Sequence, residues 1–142
     1  MNSGLIKGWS LHPQLAQDTV PVGDLPLARA LLTNDANYPW LILVPRLPGL
    51  VELIDLEENA QVQLLGEIAA TARALKNITR CDKLNIAALG NQVPQLHVHV
   101  IARFKDDPAW PKPVWGALPP EPYLEPELSR TVKSFQQALS GG

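Results

Sequence analysis

Gly90-Asn91-Gln92-Val93-Pro94-Gln95-Leu96-His97-Val98-His99-Val100-Ile101-Ala102-Arg103 is the stretch that decides the fold of this 142-residue chain. A loop of glycine, amides and proline gives way to alternating polar and apolar side chains. In a strand, successive side chains point to opposite faces. The alternation predicts a strand over residues 95–104, with Gln95, His97 and His99 on one face and Leu96, Val98 and Val100 on the other. The two histidines then stand roughly 7 Å apart by their Cα atoms, close enough to touch one phosphoryl group or one metal ion. A polar row on the open face of an edge strand is the plain alternative.

Working outward, residues 83–89 read as a second strand, and the short loop between the two makes them antiparallel neighbours. Before them, a long helix is expected from Asp55 to about Asn77. Asp55 is placed to cap it, with Glu58 three residues on as in a capping box. Leu64, Leu65, Ile68, Ala72 and Leu75 recur at helical spacing, while Glu58, Gln63, Glu67 and Lys76 form the side expected to meet solvent. The run Trp40-Leu41-Ile42-Leu43-Val44, bounded by turn residues and Pro45, suits a strand buried on both faces. The turn signal of residues 33–39 before it suggests a hairpin, with residues 28–32 as its other strand despite their helical propensity. Leu5-Ile6 and Trp9-Ser10-Leu11 read as short strands. Near the C-terminus, Leu128, Val132, Phe135 and Leu139 form one helical stripe. Between these parts lies a proline-rich segment, about residues 106–126, expected to be extended and stiff.

Composition narrows the function classes. One domain over residues 1–142 fits the length, and the chain can bury a core without disulfides. Cys81 is the only cysteine, so neither an internal disulfide nor a multi-cysteine zinc site can form. A net charge of −2 argues against bulk binding to DNA or RNA, though a small anion needs only a few aimed donors. No apolar run approaches bilayer length and the start lacks a signal-peptide pattern, so a cytoplasmic protein with no membrane contact is expected.

The histidine stretch resembles the signature of the histidine triad (HIT) family, in which three histidines alternate with apolar residues. His97 and His99 match the second and third histidines, Val98, Val100 and Ile101 match apolar positions, and Gln95 stands where the first histidine falls. The likeness extends loosely along the chain: a buried strand ending Val44-Pro45-Arg46, a long helix, then two strands. It also resembles a bacterial branch with glutamine first and a tryptophan-bearing tail, here Trp110 and Trp115. The resemblance implies an α+β fold, a mainly antiparallel sheet of about five strands with one long helix and a C-terminal helix, and a homodimer.

For function, the resemblance implies a nucleotide hydrolase or nucleotidyl transferase acting on a dinucleoside polyphosphate or nucleoside phosphoramidate. His97 would attack the α-phosphorus and form a covalent nucleotidyl intermediate that water resolves. A neutral imidazole suits this role near pH 7, provided a carbonyl holds its other nitrogen. His99 would donate to a phosphate oxygen or handle the leaving-group proton. Gln95 keeps a donor where the first histidine acts but cannot carry charge or a mobile proton. Gly90, Asn91 and Gln92 match a phosphate-contacting loop, with turn formation as the plain alternative. Asp35 matches a ribose-binding carboxylate, or equally forms an Asx turn. Trp110 and Trp115 either close over a ligand or anchor the tail. No cofactor is required, although magnesium accompanies some dinucleotide substrates. Two rival readings remain: a metal enzyme with His97 and His99 as ligands, and a nucleotide-binding module without turnover.

Overall fold

The computed structural model describes residues 8–140. The elements run α1 (Pro13–Asp18), β1 (Thr19–Asp24), β2 (Ala28–Thr33), β3 (Trp40–Pro45), a 3-10 turn (Leu53–Asp55), α2 (Glu58–Thr79), β4 (Lys83–Ala87), β5 (Val98–Arg103) and α3 (Glu127–Ser140). The five strands form one antiparallel sheet in the order β1-β2-β3-β5-β4. This is the α+β architecture expected from the sequence.

β3 and β5 are central strands and every residue of each is buried. Their alternation splits the core. Leu41, Leu43, Val98, Val100 and Ala102 join Ala28, Ala30 and Leu32 against Leu64, Ala72 and Leu75 of α2 and Phe135 of α3. Trp40, Ile42, Val44 and Ile101 face the other way, with Leu31, Leu15, Ala109 and Val114. Helices therefore cover one face. The other is covered by the N-terminal segment and the proline-rich tail.

Several expectations need correction. The segment Trp9-Ser10-Leu11 is not a strand, and Leu5-Ile6 lies outside the described residues. β1 was hidden by Pro21 and Gly23. It is an edge strand, where a missing N–H is tolerated, and its register shifts between Pro21 and Gly23 as in a bulge. α2 begins at Glu58 rather than Asp55, whose carboxylate instead accepts from the Val51 and Glu52 N–H groups (3.1 and 2.8 Å) of the preceding turn. Glu67 is not on a solvent face. It is 5% exposed and accepts from the backbone N–H groups of Leu27 and Ala28, both at 2.8 Å, and from Gln63 Nε2 at 2.7 Å. The β1–β2 turn leaves those N–H groups without a strand partner, and the carboxylate satisfies them. Leu65, conversely, is exposed.

β5 begins at Val98 rather than at residue 95. Residues 95–97 leave the ladder because their polar groups bond elsewhere: Leu96 N–H reaches Leu50 O, and the Gln95 carbonyl faces the His97 ring. The facing survives the loss of pairing, since Leu96 still packs with the helix-side core.

Candidate active site

His97 and His99 are both 6% exposed, and their ring centroids lie 4.9 Å apart in an edge-to-face arrangement. His97 Nδ1 is 2.7 Å from the carbonyl oxygen of Gln95. A carbonyl only accepts, so this contact places a proton on Nδ1, and in the neutral ring the lone pair sits on Nε2. The contact fixes the orientation of the ring as well as its tautomer.

His99 is held in the opposite tautomer. Trp40 Nε1 donates to His99 Nδ1 at 3.0 Å. An indole N–H is a donor only, so Nδ1 carries the lone pair and Nε2 the proton. Burial, with the neighbouring His97 as the second cause, pushes the His99 pKa down to about 4. The ring is therefore neutral at pH 7. Neither Nε2 has a partner among the described residues. Side by side stand one imidazole offering a lone pair and one offering a proton.

Sequence reasoning missed Trp40. The signal was present: an indole N–H on a central, doubly buried strand usually has an acceptor. Trp115 completes the aromatic surround, edge-on to His99 at 5.1 Å and to Trp40 at 6.0 Å. Trp115 thus anchors the tail against the histidine face. Trp110 lies under the Arg103 guanidinium at 5.7 Å.

Gln95 does not aim a free amide at the histidines. Its Oε1 accepts from His12 N–H and its Nε2 donates to Ser10 O, both at 2.8 Å. The side chain therefore pins the N-terminal segment beside the histidine strand. His12 caps α1, its Nδ1 accepting from Gln14 N–H at 3.0 Å.

Asp35 is buried, and its Oδ1 accepts from Asn37 N–H (3.0 Å) and Glu121 N–H (3.2 Å). Ala36 N–H reaches Glu121 O, Asn37 Nδ2 reaches Pro119 O, and Asn34 Oδ1 accepts from Tyr123 N–H. The β2–β3 loop is thus a clasp for residues 119–123 of the tail. The other end of the tail is organised by Asp107, which accepts from Arg103 and from the N–H groups of Phe104, Ala109 and Trp110. Burial alone would raise the Asp107 pKa; the hydrogen bonds outweigh it and hold the carboxylate at about 2.

A cavity of about 440 Å³ opens on His97, lined by residues 51–54, 88–90 and Leu96. It unites His97 with Gly90, whose φ of +72° belongs to the left-handed region that favours glycine. Asn91 and Gln92 are exposed on the adjoining bend. The contribution of residues 51–54 was not legible, because nothing in their local pattern announces proximity to His97. Among the described residues no group of three or more His, Cys, Asp or Glu side chains is gathered as metal ligands, and no helix is long and apolar enough to cross a membrane.

Comparison with known proteins bears on the family and the fold. Residues 14–106 match the HIT domain family. The fold superposes on a histidine triad protein of Bradyrhizobium japonicum with a TM-score of 0.92 and 55% identity, over 94% of this chain and 99% of that one. A histidine triad protein of Marinobacter aquaeolei gives a TM-score of 0.92 and 44% identity over 95% and 98% of the two chains. One from Sinorhizobium meliloti gives 0.89 and 42% over 92% and 96%. No curated protein matches the chain. With a family match over residues 14–106 and a 55% identical relative covered over 99% of its length, the chain belongs to the histidine triad family.

Proposed function

We propose that the protein is a nucleotide hydrolase or nucleotidyl transferase acting at the α-phosphate of a dinucleoside polyphosphate or a nucleoside phosphoramidate. The observation that carries this reading is the His97 Nδ1 contact with the Gln95 carbonyl, which leaves Nε2 free as a nucleophile on a residue that lines a cavity. Attack by Nε2 forms an N–P bond as the P–O or P–N bond to the leaving group breaks. Water then cleaves the N–P bond, releasing a nucleoside monophosphate and the free ring.

His99 offers its Nε2–H to a phosphate oxygen. Gly90, Asn91 and Gln92 form the phosphate loop in this reading, and exposed amides next to a left-handed glycine suit an anion. Gln95 contributes through its main-chain carbonyl and its hold on the N-terminal segment, rather than as a substitute for a charged histidine. Asp35 serves the tail clasp. No step requires a metal; magnesium enters only with a polyphosphate substrate.

A second copy of this chain is the expected partner. β4 is an edge strand, and Ile86 on it and Leu89 beyond it are exposed apolar side chains.

The test is incubation with a fluorogenic adenosine phosphoramidate and with a diadenosine polyphosphate, followed by rapid acid quench and mass spectrometry. We expect release of adenosine monophosphate and a transient adduct on the peptide containing His97. Tight binding without monophosphate at high protein concentration would make the protein a binding module. Absence of binding would remove the nucleotide reading altogether.

A further inference from the structure

We propose that Trp40 is a positioning residue whose indole N–H locks His99 as the Nε2–H tautomer and commits it to donating one hydrogen bond to the ligand rather than carrying a second proton. The inference rests on the site reading above and deepens it by separating the two histidines' duties.

Trp40 Nε1 and His99 Nδ1 are 3.0 Å apart, and the indole can only donate. An imidazolium at position 99 would carry a hydrogen on Nδ1 and set two N–H groups against each other. The Nδ1–H tautomer of the neutral ring meets the same conflict. Only the Nε2–H form satisfies both buried side chains. Their freedom to move apart is small: Trp40 stands on β3 directly beside the histidine strand, pairing with Ile101, while Ile42 pairs with His99. Trp115 packs edge-on against both rings, and Tyr38 against Trp40 at 6.3 Å. The groups facing His99 are His97 on its own strand side, Trp40 on β3 and Trp115 on the tail. Of these only His97 carries an ionisable group.

A bound phosphate is an anion, and an anion ordinarily draws a proton onto a nearby histidine. Here that protonation would break the Trp40 bond. His99 therefore stays neutral when a phosphate arrives, and it hands no proton to a leaving group. The departing fragment must take its proton from water or from another group.

The experiment is nitrogen-15 NMR of the imidazoles in the full chain, between pH 5 and 8, with and without adenosine monophosphate. In the free protein His99 should show an unprotonated Nδ1 and a protonated Nε2, and adenosine monophosphate should leave it neutral. In Trp40→Phe the tautomers should mix. Adenosine monophosphate should then raise the His99 titration midpoint by about one unit or more, the worth of one buried hydrogen bond. Turnover of the phosphoramidate should drop roughly tenfold in kcat for a similar loss. Should Trp40→Phe unfold, replacing the indole by benzothiophene keeps its shape and removes only the N–H. A protonated Nδ1 in the unaltered protein, or a tautomer ratio unmoved by either replacement, overturns the proposal. Failure of adenosine monophosphate to bind would count against the nucleotide reading alone, because the tautomer of the free protein is read without it. A purely structural role for Trp40 would lower the melting temperature and leave the tautomer unchanged.

Discussion

The two faces of the sheet are held by different physics. On the helix side, Ala28, Ala30, Leu32, Leu41, Leu43, Val98, Val100 and Ala102 pack against α2 and α3. Burial of apolar area stabilises that face, at about 25 cal/mol per Å². On the histidine side, two irregular segments lie across a second apolar cluster, and a few polar anchors add to their hold. Gln95 holds residues 10–12, Asp107 turns the chain after β5, and Asn34, Asp35 and Asn37 clasp residues 119–123. A face secured by area resists opening anywhere. One secured in part by such anchors can open locally while the rest stays folded. The buried histidines sit under the second kind.

The sharpest test of the contrast is His97→Ala. It should cut turnover by on the order of 10³-fold or more, because it removes the proposed nucleophile. Its melting temperature should stay close to that of the unaltered chain. Comparable activity in this variant would remove His97 from the chemistry.

Glu67→Ala should act in the opposite way. It strands the buried N–H groups of Leu27 and Ala28, each worth roughly 1–3 kcal/mol, so global stability should fall by about 3 kcal/mol in urea titration. A loss below about 0.5 kcal/mol would mean that water replaces the carboxylate and that the helix side does not depend on this polar joint.

Acid should probe the histidine side next. The folded-state pKa of His99, about 4, lies below the value of about 6.5 in an unfolded chain. Between these values the unfolded state binds the extra proton. Stability should therefore be full above about pH 6.5 and decline towards pH 4, by on the order of 3 kcal/mol. His99→Gln should flatten that slope. An unchanged slope in the variant would place the acid sensitivity elsewhere.

The smallest effect expected is local. Gln95→His should break the two bonds to Ser10 and His12, and raise amide exchange across residues 9–12 by about tenfold, with little change at α2. Uniform protection in that variant would show that the N-terminal segment is held by its apolar contacts instead.

Short-range regularity made much of the molecule legible. Period-two alternation placed Leu96, Val98 and Val100 opposite His97 and His99, even though pairing starts only at Val98. The unbroken apolar run of Trp40 to Val44 announced a central strand, and the helical stripe at Leu128, Val132, Phe135 and Leu139 announced α3. β1 escaped because proline and glycine ordinarily deny a strand, and only its place at the sheet edge permits them.

Chemistry-bearing side chains and their order along the chain were determined by the sequence: two histidines on one face, a glycine loop before them, a proline-rich tail after. Which polar atoms meet was decided by the tertiary structure alone. Glu67 reaches the β1–β2 turn 39 and 40 residues away, Trp40 reaches His99 across 59, Gln95 reaches Ser10 across 85, and Asp35 reaches Glu121 across 86. A hydrogen bond acts over about 3 Å and is blind to sequence separation. No local pattern can report it, so the tautomer of each histidine becomes readable only once the chain has folded.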